Sequence, residues 1–162
     1  MIFQKVESEE EIELLAATAN EIWHEYFPCI LTNDQIDYMM AKFQSKQPMT
    51  EQIQDGYLYY LVKMDDTIIG YIGLHPEEEK LFLSKLYLKK EARNHGYASK
   101  MLAFIEHTAK ELRLNAIYLT VNKYNEHTIA VYKNKGFVTI KDQVADIGNG
   151  FVMDDYVMEK AL

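Results

Sequence analysis

The chain has 162 residues, 48% of them hydrophobic, with seven glycines and three prolines, a composition typical of a globular domain. A net charge of −8 disfavours nucleic-acid binding, because phosphate contact requires clustered lysine and arginine. No apolar run approaches the ~18 residues that a membrane span needs. We therefore expect a single domain over 1–162, with no nucleic-acid or membrane partner.

The few cysteines and histidines argue against disulfide and metal chemistry. Cys29 is the lone cysteine and cannot form an internal disulfide, which fits a reducing cytosol. The start of the chain lacks the basic region and apolar run of a signal peptide, so a cytoplasmic location is expected. We expect Cys29 to be a buried free thiol. None of the five histidines has the spacing of a metal ligand set, so no metal site is predicted.

The first third of the chain predicts one strand followed by helices. Alternating residues over Ile2–Val6 predict the strand. Ser8 begins a helix with glutamates in its first turn, which ends near Pro28. A capping box from Thr32 begins a second helix, Asn33–Gln44. Pro48–Gly56 is predicted as a short acidic turn or helix.

The remainder alternates strands with helices. The predicted elements in chain order are strands Tyr57–Met64, Thr67–Leu74 and Leu81–Leu88, helix Gly96–Leu112, strand Ala116–Val121, helix Glu126–Lys135, and strands Phe137–Val144 and Phe151–Lys160, with a loop at Ala145–Gly150. A helical crossover between the fourth and fifth strands implies that these two are parallel. The sequence therefore predicts a mixed α/β fold.

The turn before the second-half helix suits a phosphate ligand. The hexad Arg93-Asn94-His95-Gly96-Tyr97-Ala98 lies where a strand ends and a helix begins. A helix start presents unpaired N–H groups and the positive end of the dipole. Gly96 lets phosphate approach the backbone, and Arg93 adds a fixed charge. An ordinary glycine turn explains the hexad equally well, and it is neither a P-loop nor a dinucleotide fingerprint.

A second motif downstream gives the hexad a context. Asn125 is followed by Ala130, and then by Tyr132-Lys133-Asn134-Lys135-Gly136-Phe137. Together the hexad and this run resemble the GNAT superfamily of acetyl-CoA-dependent N-acetyltransferases over about Leu81 to Phe137. The resemblance implies a twisted, mostly antiparallel sheet of about seven strands with strands 4 and 5 parallel, flanked by about four helices.

The same resemblance implies an acyltransferase that uses acetyl-CoA and releases CoA. Residues expected to hold the CoA pyrophosphate are Arg93, Asn94, His95, Gly96, Tyr97, Ala98 and Ser99. The backbone of Leu86, Tyr87 and Leu88 would pair with the pantetheine arm. Asn125 would bond that arm, and Tyr132 would protonate the leaving thiolate. Lys135 would lie near the phosphates, although a solvated helix-end lysine is an open alternative, as is a core role for Tyr132.

The general base is where the sequence departs from the family pattern. Many relatives place a glutamate on the fourth strand, where this chain has Ser84 and Lys85. The identity of the base therefore stays open.

The acceptor is read from the segments that build the family's substrate wall. Here these are Trp23–Pro28 and Asp142–Asp155. Trp23, Tyr26 and Phe27 would suit a cationic amine through cation–π contacts, and the nearby carboxylates would suit it through ionic contacts. These carboxylates are Glu25, Asp142, Asp146, Asp154 and Asp155. Helix-end core aromatics and solvated loop acids would look the same. The segment layout also resembles the PaiA-type spermine/spermidine acetyltransferases.

Three functions stay open on the sequence. The first is transfer of acetyl to a small primary amine, a polyamine or other small amine, by direct attack in a ternary complex. The second is acetylation of peptide N-termini of the ribosomal-protein type, and the third is a non-catalytic acyl-CoA sensor module. Family members are often dimers, so a homodimer is an expectation that no sequence feature fixes.

Overall fold

A computed structural model describes all residues from Met1 to Leu162. It contains seven strands: β1 (Ile2–Lys5), β2 (Leu58–Met64), β3 (Thr67–Pro76), β4 (Lys80–Leu88), β5 (Ala116–Asn122), β6 (Val138–Gly148) and β7 (Phe151–Ala161). Its five α-helices are α1 (Glu9–Tyr26), α2 (Asn33–Phe43), α3 (Lys46–Gln54), α4 (Tyr97–Glu111) and α5 (Glu126–Asn134). Short 3₁₀ helices span Phe27–Cys29 and Lys90–Ala92.

The strands form one sheet in the order β1-β2-β3-β4-β5-β7-β6. The pairs β1–β2, β2–β3, β5–β7 and β6–β7 are antiparallel, and β4–β5 is parallel. The parallel register covers only Lys80–Phe82 against Ala116–Tyr118, and β4 continues to Leu88. The predicted mixed α/β fold, its seven strands and its parallel pair are confirmed.

The helix count exceeds the expected four because α3 is a full helix. It begins at Lys46, two residues before Pro48. Proline is tolerated in a first helical turn because its missing N–H would have no partner there, so Pro48 does not delay the helix. The first helix begins as predicted: Ser8 Oγ accepts from the Glu11 N–H (3.1 Å), and the Glu11 carboxylate accepts from the Ser8 N–H (2.8 Å).

The predicted loop over Ala145–Gly150 is wrong. Strands β6 and β7 extend into it and pair from Val138–Glu159 out to Gly148–Phe151. Only Asn149 and Gly150 form the turn, with φ of 55° and 78°, the pair of positive φ values that a two-residue hairpin needs. The glycines and Asn149 at the tip predicted a loop, but a hairpin needs only two of those residues.

The chain divides into two compact units. The first comprises Met1–His75 and Lys85–Ile105. Its core packs the inner face of α1 on β2 and β3, with Leu15, Ile22, Leu61 and Tyr71 fully or almost fully buried. The buried Tyr71 hydroxyl accepts from Trp23 Nε1 (3.0 Å) and donates to Gln44 Oε1 (2.6 Å), so each polar group in this core has a partner.

The second unit comprises Pro76–Ser84 and Glu106–Leu162. Residues of its apolar core with less than 3% exposure include Ile117, Leu119, Phe137 and Met158. Lys160 of β7 pairs with Glu106 and lies against Gly136. The face of β7 that carries Lys160 is therefore the face covered by the second half of α4 and by the turn that ends α5.

Cys29 is exposed, which corrects the expectation of a buried thiol. Its position after Pro28, in the 3₁₀ turn that follows α1, places Sγ at the surface, where it donates to Tyr26 O (3.1 Å). No helix here has the length and apolarity to cross a bilayer, and no group of three or more His, Cys, Asp or Glu side chains is arranged to hold a metal.

Candidate active site

The turn from Arg93 to Gly96 joins a 3₁₀ turn after β4 to the first residue of α4. Asn94 and Gly96 have positive φ, 65° and 77°, which reverse the chain immediately before Tyr97. Asn94, His95, Gly96 and Ser99 are exposed, whereas Tyr97 and Ala98 are half-buried. A Cβ added at Gly96 would meet nothing within 4 Å, so the backbone here faces open space.

The start of α4 has the features of an anion site. A 15-residue helix presents first-turn N–H groups that lack intrahelical acceptors, and the macrodipole makes that end positive. No acidic residue occurs in the first turn of α4, so the helix itself places no negative charge against a phosphate there. The residues of the hexad therefore fit a pyrophosphate.

Arg93 is held by protein groups beside this turn. Its guanidinium forms a bidentate pair with Glu25 (Nη2–Oε1 2.6 Å, Nη1–Oε2 3.2 Å). Nε and Nη2 also donate to Leu88 O at 3.2 and 3.0 Å, and the cation lies 5.0 Å from the centre of the Tyr26 ring. Arg93 thus ties the end of α1 to the end of β4, in addition to its predicted role toward phosphate.

The strand predicted to hold the pantetheine arm ends at Leu88, whose carbonyl oxygen accepts from Arg93. Leu86, Tyr87 and Leu88 are the last three residues of β4 and are half-buried. The β5 register ends at Phe82, before any of the three. The backbone of this segment follows the extended path that an arm of two amides would need in order to pair with it.

Of the three aromatic residues predicted to touch the acceptor, two are core residues. Trp23 and Phe27 expose only 4% and 5% of their surface and stack on each other at 4.1 Å. Both also meet the Tyr87 ring edge-on, at 5.6 and 6.0 Å. Tyr26 is half-buried, with its ring against Arg93, so it offers the most surface of the three.

The remaining predicted residues lie in the second unit. Asn125 is buried (7% exposed) at the N-cap of α5, but its side chain does not cap that helix. Tyr132 is buried (8% exposed), with its ring edge-on to Phe137 at 5.4 Å. Lys135 is the half-buried C-cap residue of α5, and Lys133 is exposed.

Ser84 and Lys85 lie on the strand where the resemblance led us to look for a glutamate base, and Lys85 is the titratable one. It is half-buried, and its side chain lies over Gly73, where an added Cβ would come within 3.0 Å of Lys85 Cγ and 2.7 Å of the Tyr59 ring. Desolvation lowers the pKa of Lys85 to about 8. At neutral pH this strand therefore presents a cation in place of a carboxylate base.

One carboxylate in the second unit is buried with an oxygen that lacks a hydrogen bond. Asp155 of β7 is buried (6% exposed), and its Oδ1 makes no hydrogen bond. The sequence holds a signal for it, since Asp155 occupies a buried position of the Met153-Asp155-Val157 alternation, where an apolar residue is expected.

Comparison with known proteins gives the same family as the motifs. The model of the acetyltransferase (GNAT) family matches residues 16–137. Spermidine N(1)-acetyltransferase of Thermoplasma acidophilum is 26% identical over 156 residues, covering 93% of this chain and 91% of that protein. A probable spermine N(1)-acetyltransferase of Bacillus subtilis subsp. natto is 30% identical over 118 residues, covering 66% of this chain and 75% of its own.

Among solved structures, the PaiA N-acetyltransferase of Thermoplasma acidophilum in complex with coenzyme A superposes with a TM-score of 0.80. It is 26% identical, and both chains are covered completely. A GCN5-related N-acetyltransferase from Rhodopseudomonas palustris has a TM-score of 0.81 at 12% identity, covering 99% of this chain and 95% of its own, which shows the shared fold alone. The chain belongs to the acetyltransferase (GNAT) family, and it is an acyltransferase of the class that uses acetyl-CoA.

Proposed function

We propose that this protein transfers the acetyl group of acetyl-CoA to a primary amine, with a polyamine or similar small amine as acceptor. The observation that carries the choice of acceptor is the match to spermidine N(1)-acetyltransferase over 93% of this chain. The similarity to PaiA in complex with coenzyme A, also over the full length, supports the cofactor. The acidic balance of −8 agrees with a cationic acceptor.

Binding of the cofactor would use the open turn and the strand before it. The N–H groups at the start of α4, with Gly96 giving room, would hold the pyrophosphate. The end of β4, Leu86–Leu88, would pair with the pantetheine amides. Asn125, buried at the start of α5, would donate to the same arm.

Acetyl-CoA supplies the acetyl group as a thioester, so an N–C bond forms, the C–S bond breaks and CoA leaves. Tyr132 would hold the proton that the leaving sulfur takes. A thiol has a pKa near ~8.5, so the thiolate can leave without full protonation, and the tyrosine accelerates this step without being indispensable. Attack in a ternary complex requires no acyl-enzyme, so no nucleophilic side chain is needed.

The test is CoA release from acetyl-CoA across a panel of amines. The panel contains spermidine, spermine, an amino acid, an aminoglycoside and peptides that begin with Ser or Ala. We expect amine-dependent release, fastest with the polyamines. Release only with the peptides would favour the N-terminal acetyltransferase, and tight CoA binding without amine-dependent release would favour the sensor.

A further inference from the structure

The carboxylate of Asp155 is the least satisfied polar group in the second unit. Its residue is 94% buried, as the 6% exposure shows, and Oδ1 has no hydrogen-bond partner. Burying a carboxylate without a donor is costly, and proteins rarely retain one that only fills space. The neighbouring Asp154 differs, because Lys123 Nζ lies 2.9 Å from its Oδ1 and neutralises it.

The alternation of β7 separates these two neighbours. Lys160 lies on the face that α4 and α5 cover, and residues two apart share a face, so Asp154 lies there with Tyr156. Lys123 contacts both Asp154 and the Tyr156 ring, at 5.4 Å from the ring centre, which agrees with this placement. Asp155 therefore lies on the opposite face of the sheet.

On that opposite face, Asp155 is flanked by uncharged polar side chains. Its register partners are Asn122, the last residue of β5, and Gln143 of β6. Asn122 Oδ1 accepts from the Tyr124 N–H (2.9 Å), which fixes its amide in the turn before Asn125. Asp155 is thus placed beside the segment that carries the predicted cofactor-binding Asn125.

The charges around Asp155 keep it ionisable near neutrality. Burial, and after it the neighbouring Asp154 carboxylate, raise the pKa of the Asp155 carboxyl to about 6 against the opposing effect of Lys123. Lys141 is the charged residue of β6 on the same face, opposite Val157. A carboxylate with this pKa is charged at pH 7 and is also a stronger base than an ordinary aspartate.

We infer that Asp155 is the group that receives the acceptor ammonium and takes its proton, so that a neutral amine attacks the thioester. This rests on the proposed function and names the base that the fourth strand lacks. One proton passes from R–NH₃⁺ to Asp155, which returns it to solvent. Tyr132 gives its proton to the departing sulfur and regains the second proton, which nitrogen loses after the N–C bond forms, so the net products are the amide, CoA and one proton.

Lys85 is the rival base, since Ser84 and Lys85 stand where many members of the family have a glutamate. With a pKa of about 8 it is mostly protonated at pH 7, and a cation neither attracts an ammonium nor accepts its proton. If Lys85 were the base, kcat/KM would increase with pH around pH 8. With Asp155 as the base, kcat/KM increases with pH around pH 6.

The experiment compares Asp155→Asn with Glu159→Gln. Glu159 is a matched control, because it lies on the same strand and face but has Lys80 as a partner at 2.5 Å. We expect Asp155→Asn to lower kcat/KM for spermidine about 100-fold or more, and to abolish the decrease of kcat/KM below about pH 6. The affinity for CoA, measured by titration calorimetry, should stay unchanged. Glu159→Gln should leave kcat/KM, its pH dependence and the affinity for CoA unchanged.

A second readout needs no turnover. In ¹³C-carboxyl NMR of the protein without acetyl-CoA, one aspartate signal should titrate with a midpoint near pH 6, and this signal should be absent from Asp155→Asn. Added spermidine should shift the midpoint to lower pH, since a bound cation favours the charged form of the carboxyl. The inference would be overturned if Asp155→Asn had the kcat/KM of the wild type and the same decrease of kcat/KM below about pH 6. If wild type neither binds CoA nor releases it with any amine, the proposed function itself fails.

Discussion

Tyr132 is the residue whose catalytic role is easiest to isolate. Its ring is buried against Phe137, and replacing it with phenylalanine removes only the hydroxyl. We expect Tyr132→Phe to lower turnover about 100-fold, because general acid help to a leaving thiolate has that size, while CoA affinity holds. Steady-state kinetics and calorimetry measure the two quantities. Unchanged turnover would remove Tyr132 from the mechanism and leave it a core tyrosine.

The buried carboxylate of Asp155 should also affect how the free energy of unfolding depends on pH. Its folded pKa, about 6, is above the ordinary aspartate value, so its favourable contribution is complete below about pH 4 and is lost as pH rises through 6. We therefore expect Asp155→Asn to raise the free energy of unfolding at pH 8 by about 1 kcal/mol after solvent screening, and to leave it nearly unchanged at pH 4. Urea denaturation at both pH values measures this.

The control for that measurement is again Glu159→Gln, which removes a partnered carboxylate. It should not stabilise the protein at pH 8. A variant that is more stable but less active is expected where a buried charge is kept for function. Loss of stability at pH 8 in Asp155→Asn would instead show that the carboxylate has structural partners.

At the scale of elements, the join between β4 and α4 depends on Gly96. Its φ of 77° is strained for other residues, and its Cβ would point into open space. We expect Gly96→Ala to cost about 1 kcal/mol of stability and to weaken CoA binding at least 10-fold, because the methyl group stands where the phosphate approaches. Thermal unfolding and calorimetry with CoA measure the two effects.

Gly56 provides the matched control for this variant. It follows α3 with φ of 101°, and its Cβ also meets nothing within 4 Å. Gly56→Ala should therefore cause a similar loss of stability with no change in CoA affinity. Equal effects of the two variants on CoA affinity would contradict a phosphate cradle at Gly96.

The tie between α1 and β4 depends on Arg93. The guanidinium both pairs with Glu25 and caps Leu88 O, with the two side chains 27% and 35% exposed. We expect Arg93→Ala to cost about 1–2 kcal/mol, and Glu25→Gln less than about 1 kcal/mol, since Leu88 O then keeps its donor. Denaturation of both variants at low and high salt checks this, and equal losses would mean that the carbonyl contact contributes nothing.

These elements also show where sequence reasoning succeeds and stops. Local chemistry fixed the start of α1, through Ser8 and Glu11, and the turn at Gly96, because caps and positive φ depend on neighbouring residues. The β6–β7 hairpin is longer than predicted, because hydrogen bonding to the partner strand decides where a strand ends. Burial of Trp23 and Phe27 and the pairing of Arg93 with Glu25 depend on tertiary contacts that no local pattern encodes.

At the scale of the whole molecule, the net charge of −8 bears on which acceptor reaches the site. A negative field accelerates encounter with a polycation, and salt screens it over about 10 Å at 0.1 M. We expect kcat/KM for the trivalent spermidine to fall several-fold between low ionic strength and about 0.5 M salt. The measurement is CoA release at subsaturating acceptor, with acetyl-CoA held saturating at every salt concentration.

The matched acceptor is a peptide that begins with Ala and carries no net charge, for which the field offers no attraction. Its kcat/KM should vary little over the same range, so the ratio of the two acceptors isolates the field from salt effects on cofactor binding. A peptide used efficiently at all salt concentrations, with spermidine poor throughout, would assign the enzyme to N-terminal acetylation. The acidic surface would then have no part in choosing the acceptor.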